Sequence, residues 1–333
     1  MPIYNYENMK NNKNKKILIL CLLFIIVIIG KSFMEVITEY VPNLNRYIEI
    51  KYSCPGKNKI CSKFKNNQEL KEYLIEENPQ KKFDAITLST YVVETSKSFG
   101  ILVFLSPLIM ILLVVFKIQS DINSGFIKNI LTREKYSSLI KKYIFIASKV
   151  AFIIPFIYIL IFLISLLLTG FNINFPSENM MLHPEYDTFK YNHFFTYGLI
   201  LISIQYILHF AYALIGIFVS FINRNKILCI IFGYIYFIIL CLLYLIVGAY
   251  IFKNILGFNY GDINYFNLIG NYWFFNDLSI IWILFLVVLS VAVINYFMIY
   301  LIIGKKEKAI NMYEKQSAWK TKNIWIYYFN KSI

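Results

Sequence analysis

The sequence predicts an all-α integral membrane protein: six transmembrane helices, both termini cytoplasmic, and a small α/β extracellular cap between helices 1 and 2. Three observations carry this prediction. Of 333 residues, 58% are apolar and only 16% charged, against about 45–50% and about 25% in ordinary soluble domains. The mean hydropathy is +0.58. The apolar residues gather into six runs near the length of about 20 that a bilayer core requires. Finally, Lys and Arg fall on alternate connections between those runs. A disordered chain and a conventional soluble domain are excluded by this composition.

The first run spans 17–34. It is apolar from Ile17 to Gly30 and then meets Lys31, which can snorkel outward while Ser32 to Val36 extend the helix. No small-residue cleavage site follows, so it is expected to be a retained helix and not a signal peptide. The other spans are expected at 98–117, 143–170, 197–222, 227–252 and 278–303. Pro107 and Pro155 lie inside spans, where neighbouring helices can satisfy the freed carbonyls, so kinks are expected and not breaks.

The connections orient the bundle. Segment 1–16 holds four Lys, 118–142 five Lys/Arg, 223–226 two and 304–333 seven, eighteen in all. The alternate connections 171–196 and 253–277 hold only Lys190 and Lys253. The positive-inside rule then places both termini in the cytoplasm. The net charge of +14 is accounted for by topology, and no nucleic-acid partner is expected.

Segment 35–97 carries ten basic and nine acidic residues and is the expected extracellular cap. Tyr47 to Tyr52 alternates at period two, as a strand does. Asn67 is placed to cap a helix carrying Leu70, Tyr73 and Leu74, and Phe83 to Val93 reads as a second strand. Cys54 and Cys61 bracket a Pro-Gly turn; on an outer face such a pair is expected to form a disulfide that supports a small domain. No His lies in this segment, so no metal site is expected there. Cys21, Cys229 and Cys241 fall in spans and read as small apolar residues.

The span centres contain no carboxylate, which argues against an ion-coupled secondary transporter. No phosphate-binding loop, zinc-protease motif or nucleophile elbow occurs, and Ser106 and Ser203 have no evident base partner. The chain is therefore not expected to be an enzyme, and energy for transport would come from another subunit. His209, inside the fourth span, reads either as hydrogen-bonded to a neighbouring helix, the favoured reading, or as a relay.

Segment 118–142 is the most informative. Ile122, Phe126, Ile127 and Ile130 recur at helical spacing, with Asp121 near the start of the stretch and basic residues following. A short amphipathic helix between two spans suits a groove on a soluble partner, or the inner leaflet surface; spacing alone does not choose.

Here Asp121, Gly125, Lys128, Asn129, Arg133, Ser137 and Lys141 or Lys142 resemble the first intracellular loop of ABC-2-type transporter permeases. That family also has six spans, internal termini and an outer hairpin between the last two spans; the aromatic segment 253–277 suits such a hairpin. The resemblance implies a prokaryotic plasma-membrane permease that pairs with a copy of itself or a related permease. Two ATPase subunits would carry ATP and Mg, and this chain would bind no cofactor. The helix from Asp121 to Leu131 would couple to the ATPase. Phe126, Ile127 and Ile130 would fill its groove, and Lys128 and Arg133 would touch its rim. The cargo implied is amphipathic or hydrophobic: an antimicrobial peptide, a drug or a lipid. The alternative is a non-transporting membrane sensor or assembly protein that binds a ligand through its cap.

Overall fold

A computed structural model describes residues 2–40, 85–124, 127, 136–173, 193–223, 225–254 and 284–301. Among them the chain is helical throughout, with no strand. Helix α1 (Pro2–Glu35) runs on into a π-helical turn (Val36–Tyr40). Then follow α2 (Ala85–Thr95), α3 (Lys97–Asn123), α4 (Tyr136–Ala151), α5 (Ile153–Leu168), α6 (Phe194–Ile222) and α7 (Lys226–Asn254). The last described helix is α8 (Leu284–Leu301). Among the described residues, six stretches of 18 to 32 residues are long and apolar enough to cross a membrane: Lys16–Thr38, Lys97–Asn123, Ser137–Leu168, Phe194–Ile222, Lys226–Val247 and Leu284–Leu301. The chain is a multi-pass membrane protein by this measure.

One expectation for the cap is corrected. The segment read as a second strand is helix α2. Most of it is enclosed: Ala85, Ile86, Leu88, Ser89, Thr90, Tyr91 and Val92 are all buried. Packing against α5, where Ile86 meets Phe162, decides the conformation over the β-branched content, as tertiary context commonly does. The Ala85 N–H donates to Asn172 O at 2.9 Å, just beyond α5. There Gly170, at φ +67°, closes the helix by donating to Leu167 O while Phe171 N–H donates to Leu166 O, a Schellman end. The expected strand at Tyr47–Tyr52, the helix at Asn67 and the Cys54–Cys61 pair lie outside the described residues.

The two prolines behave differently. Pro107 leaves α3 continuous, and the Val103 carbonyl it deprives of a donor accepts from Ser106 Oγ at 2.8 Å. Pro155 interrupts the third span. The ladder breaks for one residue at Phe152, whose N–H reaches only to Lys149 O at 3.3 Å.

Helix α6 is the axle of the bundle. Its run from Ala211 to Phe221 is buried without interruption, and it packs on α3, α4, α5 and α7. Two glycines set the closest approaches. A Cβ on Gly216 would lie 3.0 Å from Val114 Cβ, and one on Gly233 of α7 would lie 2.9 Å from Ile111 Cγ2. Both meet α3 near Ile111, in the small-residue packing that membrane helices use. Helix α8 turns Leu284, Val288, Val291, Asn295 and Ile299 inward. Asn295 Nδ2 donates to Ala211 O at 3.2 Å, and Tyr236 OH donates to Asn295 Oδ1 at 3.2 Å. The outward faces of α1, α7 and α8 expose Leu, Ile, Val and Phe in long rows, a surface suited to lipid and not to water.

The helices alternate in direction. Glu35 meets Ser96 and Ser98 at one end, and Gln119 meets Ser220 and Asn223 at the other. Lys16, Asn123, Ile222, Lys226 and Leu301 therefore share this second end. These are the boundaries beside which the sequence concentrates its eighteen Lys and Arg.

Candidate functional site

The candidate site is that second end, where α3 stops and the chain leads on toward α4. Hydropathy places the end of the second span near residue 117, but the helix continues through Asn123. Asp121 consequently sits in the last turn of α3 and not at the start of a separate helix. At that place the macrodipole disfavours a carboxylate, and yet Asp121 is only 3% exposed. Two groups compensate. Lys117, one turn back, holds its Nζ 3.4 Å from Oδ2, and Tyr143 OH donates to Oδ2 at 3.1 Å from the neighbouring α4. The tyrosine is itself buried, its ring edge-on to Phe221 of α6 with centroids 6.0 Å apart. A single carboxylate thus ties the end of α3 to the beginning of the third span.

Two residues before it, Gln119 is fully buried and faces the α6–α7 turn. Its Nε2 lies 3.0 Å from Ser220 O, 2.6 Å from Asn223 O and 3.3 Å from Cys229 Sγ. The turn has its own order. Asn225 N–H donates to Asn223 Oδ1 at 3.0 Å, and Ile227 N–H donates to Asn225 Oδ1 at 2.9 Å, capping α7. The Cys229 thiol donates to Asn223 O at 3.3 Å. Asn223 O thus collects donors from α3 and α7 where α6 ends. Gln119 Oε1 has no partner among the described residues.

Of the coupling residues singled out in the sequence, the described ones are Asp121, at this joint, and Ile127. Ile127 is 8% exposed and packs into the chain's own core. Gly125, Phe126, Lys128, Asn129, Ile130 and Arg133 lie outside the described residues. Lys117, Gln119 and Tyr143 were missed by sequence reasoning. A polar residue just past an apolar run reads as loop, and only the partner helix shows that it is core.

No family model, no curated protein and no solved structure matches this chain. Its function therefore rests on its own residues and geometry.

A second polar node lies deeper. His209 is fully buried on α6, with Nδ1 2.7 Å from Gln205 O and Nε2 3.0 Å from Ser106 Oγ on α3. Ser106 thus has a base partner that the sequence did not reveal. A carbonyl beside Nδ1 requires the proton there, so in the neutral ring Nε2 accepts from Ser106. Ser106 has a single proton, which it shares between His209 Nε2 and the Val103 carbonyl freed by Pro107. Both residues are closed off, Ser106 at 1% exposure, and a nucleophile needs a substrate within reach. The pair works as an interhelical tie, the reading favoured for His209.

Proposed function

We propose that this chain is the permease subunit of an ATP-driven ABC-type exporter of the cell membrane in a prokaryote. It pairs with a second permease and docks on two copies of an ATPase that carry ATP and Mg. The observation that carries the reading is the Asp121 joint. Segment 124–135 joins two helices that a buried carboxylate holds together, and Gln119 extends the connection to α6 and α7. A partner that pushes on this segment moves four helices through short polar contacts, which is what a two-state coupling element requires. The concentration of Lys and Arg at the same end supports a cytoplasmic placement of the segment and of both termini. The apolar helix surfaces suit an amphipathic or hydrophobic cargo such as a peptide, drug or lipid.

The test is affinity purification of the tagged chain from its native membrane in mild detergent, with mass spectrometry of what accompanies it. A nucleotide-binding ATPase in about one-to-one ratio, with vanadate-sensitive ATP hydrolysis, is the expected result. Phe126→Asp is expected to abolish that association while leaving insertion intact; Ile127→Asp is unsuitable because it would place a charge in the core. Repeated purification without an ATPase, crosslinked samples included, overturns the exporter reading in favour of a sensor or assembly protein that works through its segment 35–97.

A further inference from the structure

The Glu35 end of the bundle carries a helix that the coupling joint does not use. With 11 residues, α2 is about 16 Å long and too short to cross a bilayer. It starts where the Ala85 N–H meets Asn172 O, just past α5, and stops before Ser96, which Glu35 engages. Both of its ends therefore lie at one end of the bundle, and α2 rests across it. It packs on α5, α3 and the π-helical turn, and Ile86 covers Phe162 of α5 and Phe194 of α6.

The two attachments of α2 differ. At Ser96 the backbone is extended, with φ −69° and ψ 123°, so α2 and α3 are separate helices joined through one residue. Glu35 and the bond from the Phe99 N–H hold that residue in place. At the other attachment the backbone is strained. One left-handed residue closes a helix of the α5 kind, and Gly170 supplies it. Phe171 follows at φ +62°, the only non-glycine residue with positive φ among the described ones. A bulky side chain is sterically opposed there. Its ring is 70% exposed, so packing within the chain does little to offset the cost. The second left-handed residue leads directly into Asn172, whose carbonyl receives the first amide of α2. Strained backbone gathers where an element has a second arrangement nearby.

We propose that α2 is a hinged lid, pivoting at Ser96, and that the strained turn Gly170–Asn172 is its catch. Relaxing Phe171 to negative φ turns Asn172 O away from Ala85 and frees the N-terminal end of α2. The lid then lifts from Phe162 and Phe194 and uncovers an aromatic surface at the Glu35 end. The strain raises the closed state toward the open one and so sets how readily the lid moves. The lid requires neither an ATPase nor a cargo, so it stands independently of the exporter reading.

The test is hydrogen exchange, read by mass spectrometry on the full chain in bilayer discs. Phe171→Asn introduces a residue that tolerates the left-handed region, and Phe171→Val one that does not. Exchange of the α2 amides, residues 86–95, follows the open fraction. It is expected to be about five-fold slower in Phe171→Asn and about five-fold faster in Phe171→Val. Amides in the centre of α3, residues 102–115, are expected to keep their rates. If Phe171→Val disturbs α3, the Phe171→Asn comparison decides by itself. Unchanged α2 exchange, with effects confined to the end of α5, overturns the proposal, because the strain then belongs to that helix end alone. Faster α2 exchange in Phe171→Asn overturns it as well.

Discussion

Helix α3 has a carboxylate at each end, and the two are held in opposite ways. At the N-terminus the carboxylate comes from another helix. Glu35 of α1 accepts from Ser96 Oγ at 2.8 Å, from the Ser98 N–H at 3.0 Å and from Ser98 Oγ. Ser96 in turn caps Phe99 N–H at 3.2 Å. The helix dipole favours a negative charge there, and the orphan amide takes up the oxygen. At the C-terminus Asp121 belongs to α3 itself and faces the dipole's negative end. It is held by the Lys117 ammonium and the Tyr143 hydroxyl. The difference separates a fastening from a joint. Glu35 completes a structure that the backbone already wants, while Asp121 persists because its neighbours oppose a local cost. Such positions are where alternative arrangements lie close in free energy.

The comparison can be broken by substitution. Glu35→Ala removes a charged acceptor from three donors. It is expected to cost about 3 kcal/mol, read as the largest drop in melting temperature of the detergent-solubilised chain. A drop no greater than that of Asp121→Asn would reverse the ranking. Asp121→Asn keeps an acceptor for Tyr143 but ends the ion pair and relieves the dipole, so a loss of about 1 kcal/mol is expected. Its functional effect should be larger than its effect on stability: within the exporter reading, cargo movement falls while the ATPase remains bound. Tyr143→Phe sharpens the point, with an expected loss of about 0.5–1 kcal/mol and the same separation of association from movement. If Tyr143→Phe leaves cargo movement untouched, the contact between α3 and α4 is packing and not coupling.

The six spans are legible in the sequence because each buries its backbone bonds within itself, and lipid contact requires only that the rest be apolar. What is not legible depends on neighbours. Gln119 and Asp121 look like the start of a loop, yet α3 continues through them because α4, α6 and α7 supply their partners. The same logic hid the base beside Ser106, since His209 lies 103 positions away. Ile127 matched the spacing of a groove-filling residue, but periodicity names a face without saying what lies against it. In the strand read at 83–93, the described residues 85–93 are helical for a related reason. Their β-branched content suits a strand, and only burial on several sides, with Ile86 against Phe162 of α5, makes the helix the better solution. Pro155 and Pro107 were indistinguishable until Ser106 could be seen repairing one of the two freed carbonyls.

The ties between α3 and α6 also bear on how the chain is made. Helix α6 carries Gln205 and His209 in its interior, groups that are poorly tolerated by a solitary helix among acyl chains. Its tie from His209 runs to Ser106, and its terminal carbonyl at Ser220 is met by Gln119, about a hundred residues earlier in the chain. When the ribosome delivers α6 to the insertion machinery, α3 has already left it. The most polar of the six spans therefore arrives after its partner, which is already waiting, and the glycine at 216 lets it close against that partner.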